Sequence, residues 1–293
     1  MSAEDQFIAQ LIATPPPISA PCPIGDDCCW WQPQGLTCLS VDSIVEDRHF
    51  TRADSPEAIG AKAAGAALSD LAAMGARPVG AVVALHIAPG WDAPALVAAC
   101  RRHLAAYGCP LLGGDTTAAS ALALSVTVWG EASAGRLVHR HGGQAGDVLA
   151  VTGPLGGAPA SGRHLRPRPL LEEGCWCAAQ PAVHAMMDLS DGLASDAPRL
   201  AVASGLGCEL EAAAIPLHPD IADDPEALRR ACCDGEDFAL LLAIDPAAWP
   251  ELYRAWPFAP LHAVGRLITE PGAWWCVDGS RQALPWRGYE HRW

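Results

Sequence analysis

The chain has 293 residues, of which 51% are hydrophobic and 18% are charged, a composition typical of a globular protein of one or two domains. The formal net charge of −14 argues against nucleic acid as the main partner, since nucleic-acid binding relies on a basic surface. Residues 1–12 predict a short amphipathic helix without the basic region of a signal peptide, and the longest apolar runs, such as residues 79–87, are too short to span a bilayer. These features predict a soluble cytoplasmic protein with no membrane partner.

The first half of the chain alternates helical and strand patterns. Ser55-Pro56-Glu57 begins a helix with a capping serine and a proline in the first turn, and Gly75 is its predicted stop. The interior of this helix is rich in alanine and glycine, so a neighbouring element can pack closely against it. The other predicted elements are a buried strand at residues 36–41 that ends on Asp42, a β-type run at 79–87, a helix at 92–107 and a strand at 121–129.

A glycine-rich turn at residues 139–146 predicts the boundary between two domains, which comprise residues 1–138 and 139–293. Beyond this turn, strands are predicted at residues 147–152 and 238–244 and a helix at residues 198–204, while residues 186–189 lead into the Ser190-Asp191-Gly192 motif. Because strands and helices are intermixed along the whole chain, the predicted fold class is α/β (α+β).

The cysteine and lysine contents restrict the chemistry. Twelve cysteines occur without an export signal, so reduced thiols are expected. The close pairs at 28–29, 175–177 and 232–233 lack the spacing of paired C-x₂-C zinc motifs, which favours small buried residues over a redox or zinc protein. The single lysine, Lys62, does not lie in a G-x-x-x-x-G-K-[ST] loop. A protein of this composition that handled ATP would therefore depend on divalent cations and arginines to neutralise the phosphates.

Five short acidic motifs share one local pattern, and four of them place aspartate at or just after an apolar run, beside glycine, serine or threonine. They are Gly25-Asp26-Asp27, Val41-Asp42-Ser43, Leu68-Ser69-Asp70, Gly114-Asp115-Thr116 and Asp188-Leu189-Ser190-Asp191-Gly192. An aspartate in such a position needs a cation or hydrogen-bond donors to stay charged. Oxygen ligands without histidine or cysteine indicate Mg²⁺, and several carboxylates around several Mg²⁺ ions predict a polyphosphate clamp. Read singly, each motif is more typical of a turn than of a functional site, and only the five motifs together favour a site. A non-catalytic protein that binds divalent cations is an alternative interpretation of the same set.

Longer motifs resemble the thiamine-monophosphate kinase family over nearly the whole chain, from about residue 25 to residue 291. In addition to the acidic motifs, they are Ser40-Val41-Asp42-Ser43-Ile44-Val45-Glu46 with His49-Phe50, Leu68-Ser69-Asp70-Leu71-Ala72-Ala73-Met74-Gly75-Ala76, Arg140 before Gly146-Asp147, Gly235-Glu236-Asp237-Phe238 and Gly288-Tyr289-Glu290-His291. The resemblance implies a fold like that of aminoimidazole ribonucleotide synthetase. In that fold, N-terminal strands contribute to a barrel at a homodimer interface, and a C-terminal α/β domain covers the nucleotide.

The resemblance also implies direct in-line phosphoryl transfer from ATP to thiamine monophosphate, with Mg²⁺ as cofactor. By position it implies Mg²⁺ ligands at Asp26, Ser40, Asp42, Asp70, Asp115, Asp188 and Asp191, with Asp42, Asp70 and Asp191 as the catalytic residues. It implies ATP contacts at Tyr107, Gly114, Asp115, Arg140 and Ser190, and thiamine-phosphate contacts at His49, Glu236 and Tyr289.

The chain departs from the family pattern at three positions that leave the metal motifs intact. Ala67 stands where the family often has asparagine, Ala239 replaces the second glutamate of G-E-D-Y-E-L, and Arg292 replaces the usual terminal phenylalanine. Sister enzymes with another phosphoryl acceptor are the main alternative, namely aminoimidazole ribonucleotide synthetase, selenophosphate synthetase and a hydrogenase-maturation relative. The His49-Phe50 pair and the C-terminal Gly-Tyr-x-His favour thiamine monophosphate as the acceptor.

Overall fold

The computed structural model describes residues 28–290 without a gap, together with residues 6, 9, 12–14, 18–20, 22 and 24. Most of the helix predicted at residues 1–12, the Gly25-Asp26-Asp27 motif and His291 lie outside the described residues. Within the described part of the chain, no helix is both long and apolar enough to cross a membrane.

The first of two β-sheets is formed by the N-terminal half. Its strands lie in the order β1-β4-β2-β3, and they are β1 (Thr37–Val45), β2 (Ala76–Ile87), β3 (Leu111–Ala118) and β4 (Ala123–Ala132). β4 is antiparallel to β1 and to β2, whereas β3 is parallel to β2 at the edge. Two helices, α1 (Pro56–Met74) and α2 (Ala93–Ala106), pack on one face of this sheet.

The predicted ends of both helices are confirmed. The Ser55 hydroxyl accepts a hydrogen bond from the backbone N–H of Ala58 at 3.2 Å, and Gly75 ends α1 in the left-handed conformation with φ 68°. Asp92 caps α2 by accepting a hydrogen bond from the backbone N–H of Ala95 at 3.0 Å. Capping groups within a few residues therefore mark the N-terminal ends of both helices and the C-terminal end of α1.

β1 differs from its prediction, which was a buried strand that ends on Asp42. The strand continues through Asp42 to Val45, and Leu39 and Val41 are 63% and 59% exposed, whereas Ile44 is only 2% exposed. Side chains alternate between the two faces of a strand, and the helices cover only one face of this sheet. Leu39 and Val41 lie on the other face, which we call the outer face of the first sheet.

The second sheet has seven strands in the order β11-β10-β7-β9-β5-β8-β6. They are β5 (Val148–Val151), β6 (Val183–Asp188), β7 (Gly207–Glu211), β8 (Leu240–Ile244), β9 (His262–Ile268), β10 (Ala273–Val277) and β11 (Ser280–Ala283). The helices of this half are α3 (Ala158–Ser161), α4 (Leu171–Ala178), α5 (Leu193–Ala203), α6 (Ala227–Cys233) and α7 (Trp249–Ala255). The mixed α/β class predicted from the sequence is confirmed, while the interface barrel and the division at residues 138 and 139 stay predictions.

Both faces of the second sheet are buried at its central strands, whereas the edge strand β11 is exposed. On one face, Leu241 of β8 packs with residues of α5 and α6, and on the other face, Leu240 packs with α4 and α7. Ala72 and Ala73, at the C-terminal end of α1, join the second of these clusters. Since α1 also packs on the first sheet, it lies between the two sheets and positions the residues of one half against those of the other.

The helix predicted at residues 198–204 begins earlier than expected. α5 starts at Leu193, and Pro198 lies inside it. A proline removes one backbone hydrogen bond, so it marks a helix start only when it occupies the first turn. The real start follows Gly192, whose φ of 99° favours glycine. Consequently Ser190 and Asp191 directly precede the helix.

Candidate active site

A cleft of about 530 Å³ lies where the two sheets meet at α1. It is lined by residues of β1, of α1, of the loops that follow β6 and precede β8, and of the C-terminal segment. The predicted site residues that it brings together are Asp42, His49, Asp70, Arg140, Asp188, Ser190, Asp191, Glu236 and Tyr289. Positions far apart in the sequence thus converge on one cavity.

Two serine–aspartate hydrogen bonds connect the carboxylates of the cleft. Ser40 of β1 donates its hydroxyl to Asp70 Oδ2 at 2.5 Å, although Ser40 itself does not line the cleft. Ser69, next to Asp70 on α1, donates to Asp188 Oδ2 at 2.8 Å. Asp188 is the last residue of β6 and is only 3% exposed. Ser40 therefore orients Asp70 in the first half of the chain, and Ser69 orients Asp188 in the second half.

The carboxylates of this cluster destabilise one another in their charged form. Burial raises the pKa of Asp188 to about 7, and the neighbouring charge of Asp70 adds to the rise. Burial also raises the pKa of Asp70. For Asp42, burial again raises the pKa, the backbone N–H of Ser43 opposes the rise, and the charge of Asp70 adds to it. The charges of Arg140 and Lys62 oppose these rises without cancelling them, so the group is suited to bind a further cation.

The donor set fits a hard divalent cation. The donors are carboxylate and hydroxyl oxygens, with neither a cysteine nor a histidine in the hydrogen-bonded group of Ser40, Asp70, Ser69 and Asp188. Among the described residues, the one group with three ligand atoms within 4.8 Å of one another is Glu209, Glu211 and Cys276, outside this cleft. The cleft carboxylates are spaced more widely than that. Mg²⁺ tolerates such spacing because it keeps several waters and takes ligands from phosphates as well as from one or two carboxylates.

Asp191 enters the cleft with a cationic partner of its own. Its carboxylate is paired with Arg199 of α5, which also bonds the fully buried Asp196 at 2.7 Å. The backbone carbonyl of Asp191 accepts a hydrogen bond from the backbone N–H of Tyr289 at 2.9 Å, which places the C-terminal segment at the cleft. The sequence identified Asp191 and Tyr289 but gave no sign of Arg199.

His49 is held in a defined tautomer. The backbone N–H of Val45 donates to His49 Nδ1 at 3.0 Å, so the proton of the neutral ring lies on Nε2. The loop that carries His49 is fixed by Glu46, whose side chain accepts from the backbone N–H of Leu122 at 2.9 Å and from the indole N–H of Trp91 at 3.2 Å. Glu46 belongs to the V-E-x-x-H-F motif, yet the sequence suggested no role for it.

Lys62 is a site residue that the sequence analysis missed. Its side chain is 1% exposed and lines the cleft, and Nζ lies 2.5 Å from Glu236 Oε1. The signal was present, since Lys62 is the only lysine and lies in a helix otherwise rich in alanine and glycine. Glu236, predicted to contact the thiamine phosphate, is thus an ion-pair partner in the structure.

In addition to Ser40, three predicted residues do not line the cleft. Tyr107 ends α2, and Gly114 and Asp115 lie on β3, at the opposite edge of the first sheet from β1. The register places Asp115 beside Ala84, on the outer face. A side chain at Gly114 would meet the carbonyl oxygen of Val83 at 2.0 Å, so strand packing alone requires this glycine. Asp26 is outside the described residues, and its role as a metal ligand stays a prediction.

Comparison with known proteins agrees with this fold. The family described as AIR synthase related protein, N-terminal domain, matches residues 25–132, and the corresponding C-terminal domain matches residues 112–272. These matches and the acidic cleft define the AIR synthase-related class. Thiamine-monophosphate kinase of Salmonella typhimurium is 34% identical over 304 residues, which cover 92% of this chain and 91% of that protein. The chain belongs to the thiamine-monophosphate kinase family, and the family predicted from the sequence is confirmed.

Solved structures lead to the same family. A structure described as AaThiL complexed with AMPPCP and TMP is 27% identical, with a TM-score of 0.73, and covers 83% of this chain and 84% of that chain. The hydrogenase maturation protein HypE of E. coli superimposes with a TM-score of 0.78 at 20% identity, over 95% of this chain and 94% of that chain. At that identity the likeness to HypE extends to the fold alone.

Proposed function

We propose that the protein transfers the γ-phosphoryl group of ATP to the phosphate of thiamine monophosphate, with formation of thiamine diphosphate and ADP, in a Mg²⁺-dependent reaction. The observation that carries the proposal is the convergence of Asp42, Asp70 and Asp188, from three distant segments, on one cleft with two serine–aspartate hydrogen bonds. Burial raises the pKa of each carboxyl, which supports a role in cation binding. Membership of the thiamine-monophosphate kinase family supports the reaction, and the relative complexed with AMPPCP and TMP supports the two substrates. Both substrates are soluble phosphates, and we propose the cytoplasm as the place of the reaction.

The carboxylates of the cleft and the serines that donate hydrogen bonds to them have different tasks. Asp42, Asp70 and Asp188 would hold Mg²⁺, and Ser40 and Ser69 keep two of these carboxylates oriented. Bound Mg²⁺ would shield the charges of the two phosphate groups that must approach each other. The acceptor is already an anion, so alignment matters more than a strong general base.

Recognition of the two substrates falls to residues around this group. Arg140 is exposed at the cleft and can donate two hydrogen bonds to a phosphate. Tyr289, 46% exposed, offers an aromatic face to the cationic thiazolium ring. His49, with its proton on Nε2, is a donor to the phosphate or to the pyrimidine.

Phosphorus NMR of the purified protein with ATP, Mg²⁺ and thiamine monophosphate tests the proposal. We expect signals of thiamine diphosphate and ADP, which disappear when EDTA is added. ATP binding without a thiamine diphosphate signal would contradict the proposal and would indicate a sister enzyme with another acceptor. A screen of acceptors, with aminoimidazole ribonucleotide precursors and selenide included, would then identify it.

The tautomer of His49 leads to a prediction about two amide substitutions. A glutamine amide can reach the position of Nε2, whereas an asparagine amide can reach that of Nδ1 and accept from Val45 N–H. If Nε2–H donates to the substrate, His49→Gln retains more turnover than His49→Asn, by about tenfold. The measurement is kcat/KM for thiamine monophosphate, with thermal unfolding as the control for folding. Better activity in His49→Asn would assign His49 a loop-holding role instead.

We also propose that the protein is a homodimer in which the outer face of the first sheet is buried. Leu39 and Val41 are largely exposed there, and Val41 lies opposite Thr127, which in turn lies opposite Val82. Exposed, adjacent apolar side chains on a sheet are typical of an interface. The family resemblance implies a homodimer interface formed by N-terminal strands, so we propose that a second copy of the chain covers this face.

The oligomeric state is expected to respond to one substitution in this face. Val41→Asp places a charge among apolar side chains, so the mass measured by light scattering should fall from that of two chains to that of one. Val202→Asp is the matched control, because Val202 is 73% exposed on α5 and should leave the dimer intact. A wild-type protein that is monomeric at the same concentration would refute the proposal.

A further inference from the structure

Lys62 connects three segments that meet at the cleft. It lies on α1, its Nζ contacts Glu236 Oε1 at 2.5 Å, and it donates to the backbone carbonyl of His164 at 3.4 Å. Burial lowers the pKa of Lys62, and the carboxylate of Glu236 opposes this change. A buried ammonium is costly without an anionic partner, so this pair constrains the position of both partners.

The loop that carries Glu236 has an unusual backbone conformation. Glu236 and Phe238 have φ values of 55° and 51°, in the left-handed region that non-glycine residues rarely adopt. Such residues persist where the surroundings fix them, and they occur at functional sites. The carboxylate of Glu236 is fixed by Lys62, from the other half of the chain.

The same loop supports the segment that carries Ser190 and Asp191. The backbone N–H of Glu236 donates to the carbonyl of Ser190 at 2.8 Å, and that of Phe238 donates to the carbonyl of Leu189 at 2.9 Å. A displacement of the Glu236 loop would therefore move Ser190 and Asp191. No side chain of the 189–191 segment needs to contact Lys62 for this coupling.

α1 supplies the fixed reference for this arrangement. Lys62, Ala66 and Asp70 all line the cleft at spacings of four residues, so one side of the helix faces it. Lys62 and Asp70 are separated by eight residues, or about 12 Å along a helix. The helix thus holds Asp70 directly and the 189–191 segment through Lys62 and Glu236.

We propose that Lys62 is a positioning residue, which sets the distance between the 189–191 segment and Asp70 through its ion pair with Glu236. The proposal rests on the proposed kinase function for its effect on turnover, while the ordering of the loop stands apart from the reaction. The lone lysine of the chain is then committed to Glu236, and the phosphates are left to divalent cations and arginine.

The test compares Lys62→Met, Glu236→Gln and the double variant Lys62→Met/Glu236→Gln. The double variant leaves no unpaired buried charge, so it remains informative if a single variant fails to fold. The matched control is Arg266→Met, which removes the ion pair between Arg266 and Glu209 (2.6 Å) outside the cleft. The readouts are kcat, KM for each substrate, and amide hydrogen exchange of residues 189–191 and 235–238.

We expect the double variant to lose at least about tenfold in kcat, with KM for ATP changed by less than about threefold. Its loss should equal that of the worse single variant, because the two residues act as a unit. The amides of Glu236 and Phe238 should exchange at least about tenfold faster than in the wild type, whereas Arg266→Met should change neither readout.

Two results would overturn the inference: unchanged exchange at these amides in the double variant, or single losses that multiply in the double variant. Absence of thiamine diphosphate formation by the wild type refutes the proposed reaction instead. In that case hydrogen exchange alone decides whether Lys62 orders the loop.

Discussion

Asp70→Asn should reduce kcat by about 100-fold or more, because the charge of Asp70 is needed to hold a cation in the cleft. Asp70 accepts a hydrogen bond from Ser40, and its charge acts on Asp188. The amide retains an oxygen that can accept the Ser40 hydrogen bond, so folding should survive. Turnover is measured by formation of ADP and thiamine diphosphate. Asp223→Asn, at an exposed position outside the cleft, is the matched control and should leave kcat unchanged.

The same variant should alter the dependence of stability on pH. The pKa of Asp188 in the folded protein, about 7, lies above its ordinary value of 3.8, so without metal the folded state binds more protons than the unfolded state between about pH 4 and pH 7. Stability therefore falls as the pH rises through this window. Asp70→Asn removes a charge that raises this pKa, so thermal unfolding without Mg²⁺ should show a smaller fall. Full turnover together with an unchanged pH profile would exclude Asp70 from the metal-binding group.

Gly60→Ala is expected to destabilise the protein, although intrinsic helix propensity predicts the opposite. In an isolated helix, alanine in place of glycine stabilises by about 1 kcal/mol. Here the added Cβ would lie 2.5 Å from the backbone nitrogen of Cys100 and 2.6 Å from the Cβ of Ala99, both in α2. Because backbone cannot yield as a flexible side chain does, overpacking of about 1–3 kcal/mol should outweigh the gain.

Thermal and urea unfolding of the metal-free protein measure this effect. The control is Gly35→Ala, since a Cβ at Gly35 would meet nothing within 4 Å and the residue is exposed. A Gly60→Ala variant that is more stable than the wild type would contradict close packing between α1 and α2 at this position.

The negative charge of the chain extends to the cleft that is proposed to bind phosphates. A net charge of −14 opposes the approach of anionic substrates, and the single lysine is paired with Glu236. Within the described residues, the cleft combines Arg48, Arg140 and Lys62 with a larger number of carboxylates. A site of this composition is compatible with polyphosphates only when divalent cations accompany them, which agrees with the proposed dependence on Mg²⁺.

Much of the local structure and of the site composition was determined by the sequence alone. Caps such as Ser55 and Asp92 fix helix ends through hydrogen bonds within a few residues, so they can be recognised without a fold. The acidic motifs identified Asp42, Asp70, Asp188 and Asp191, because five such motifs occur together in a chain with a single lysine. The alanine- and glycine-rich interior of α1 predicted close packing.

Only the tertiary structure decided which element packs against α1 and which charged side chains form ion pairs. Gly60 faces α2, and a side chain at Gly65 would meet Pro167. The exposure of Val41 follows from which face of the first sheet the helices cover, a property that no run of six residues contains. Lys62 and Glu236 are 174 residues apart in the sequence. Asp191 is paired with Arg199 of α5, a helix whose start was predicted wrongly from Pro198. Capping and turn formation depend on residues a few positions apart, so they can be predicted from the sequence. Burial and ion pairing depend on contacts between distant residues, which form only when the two sheets pack around α1.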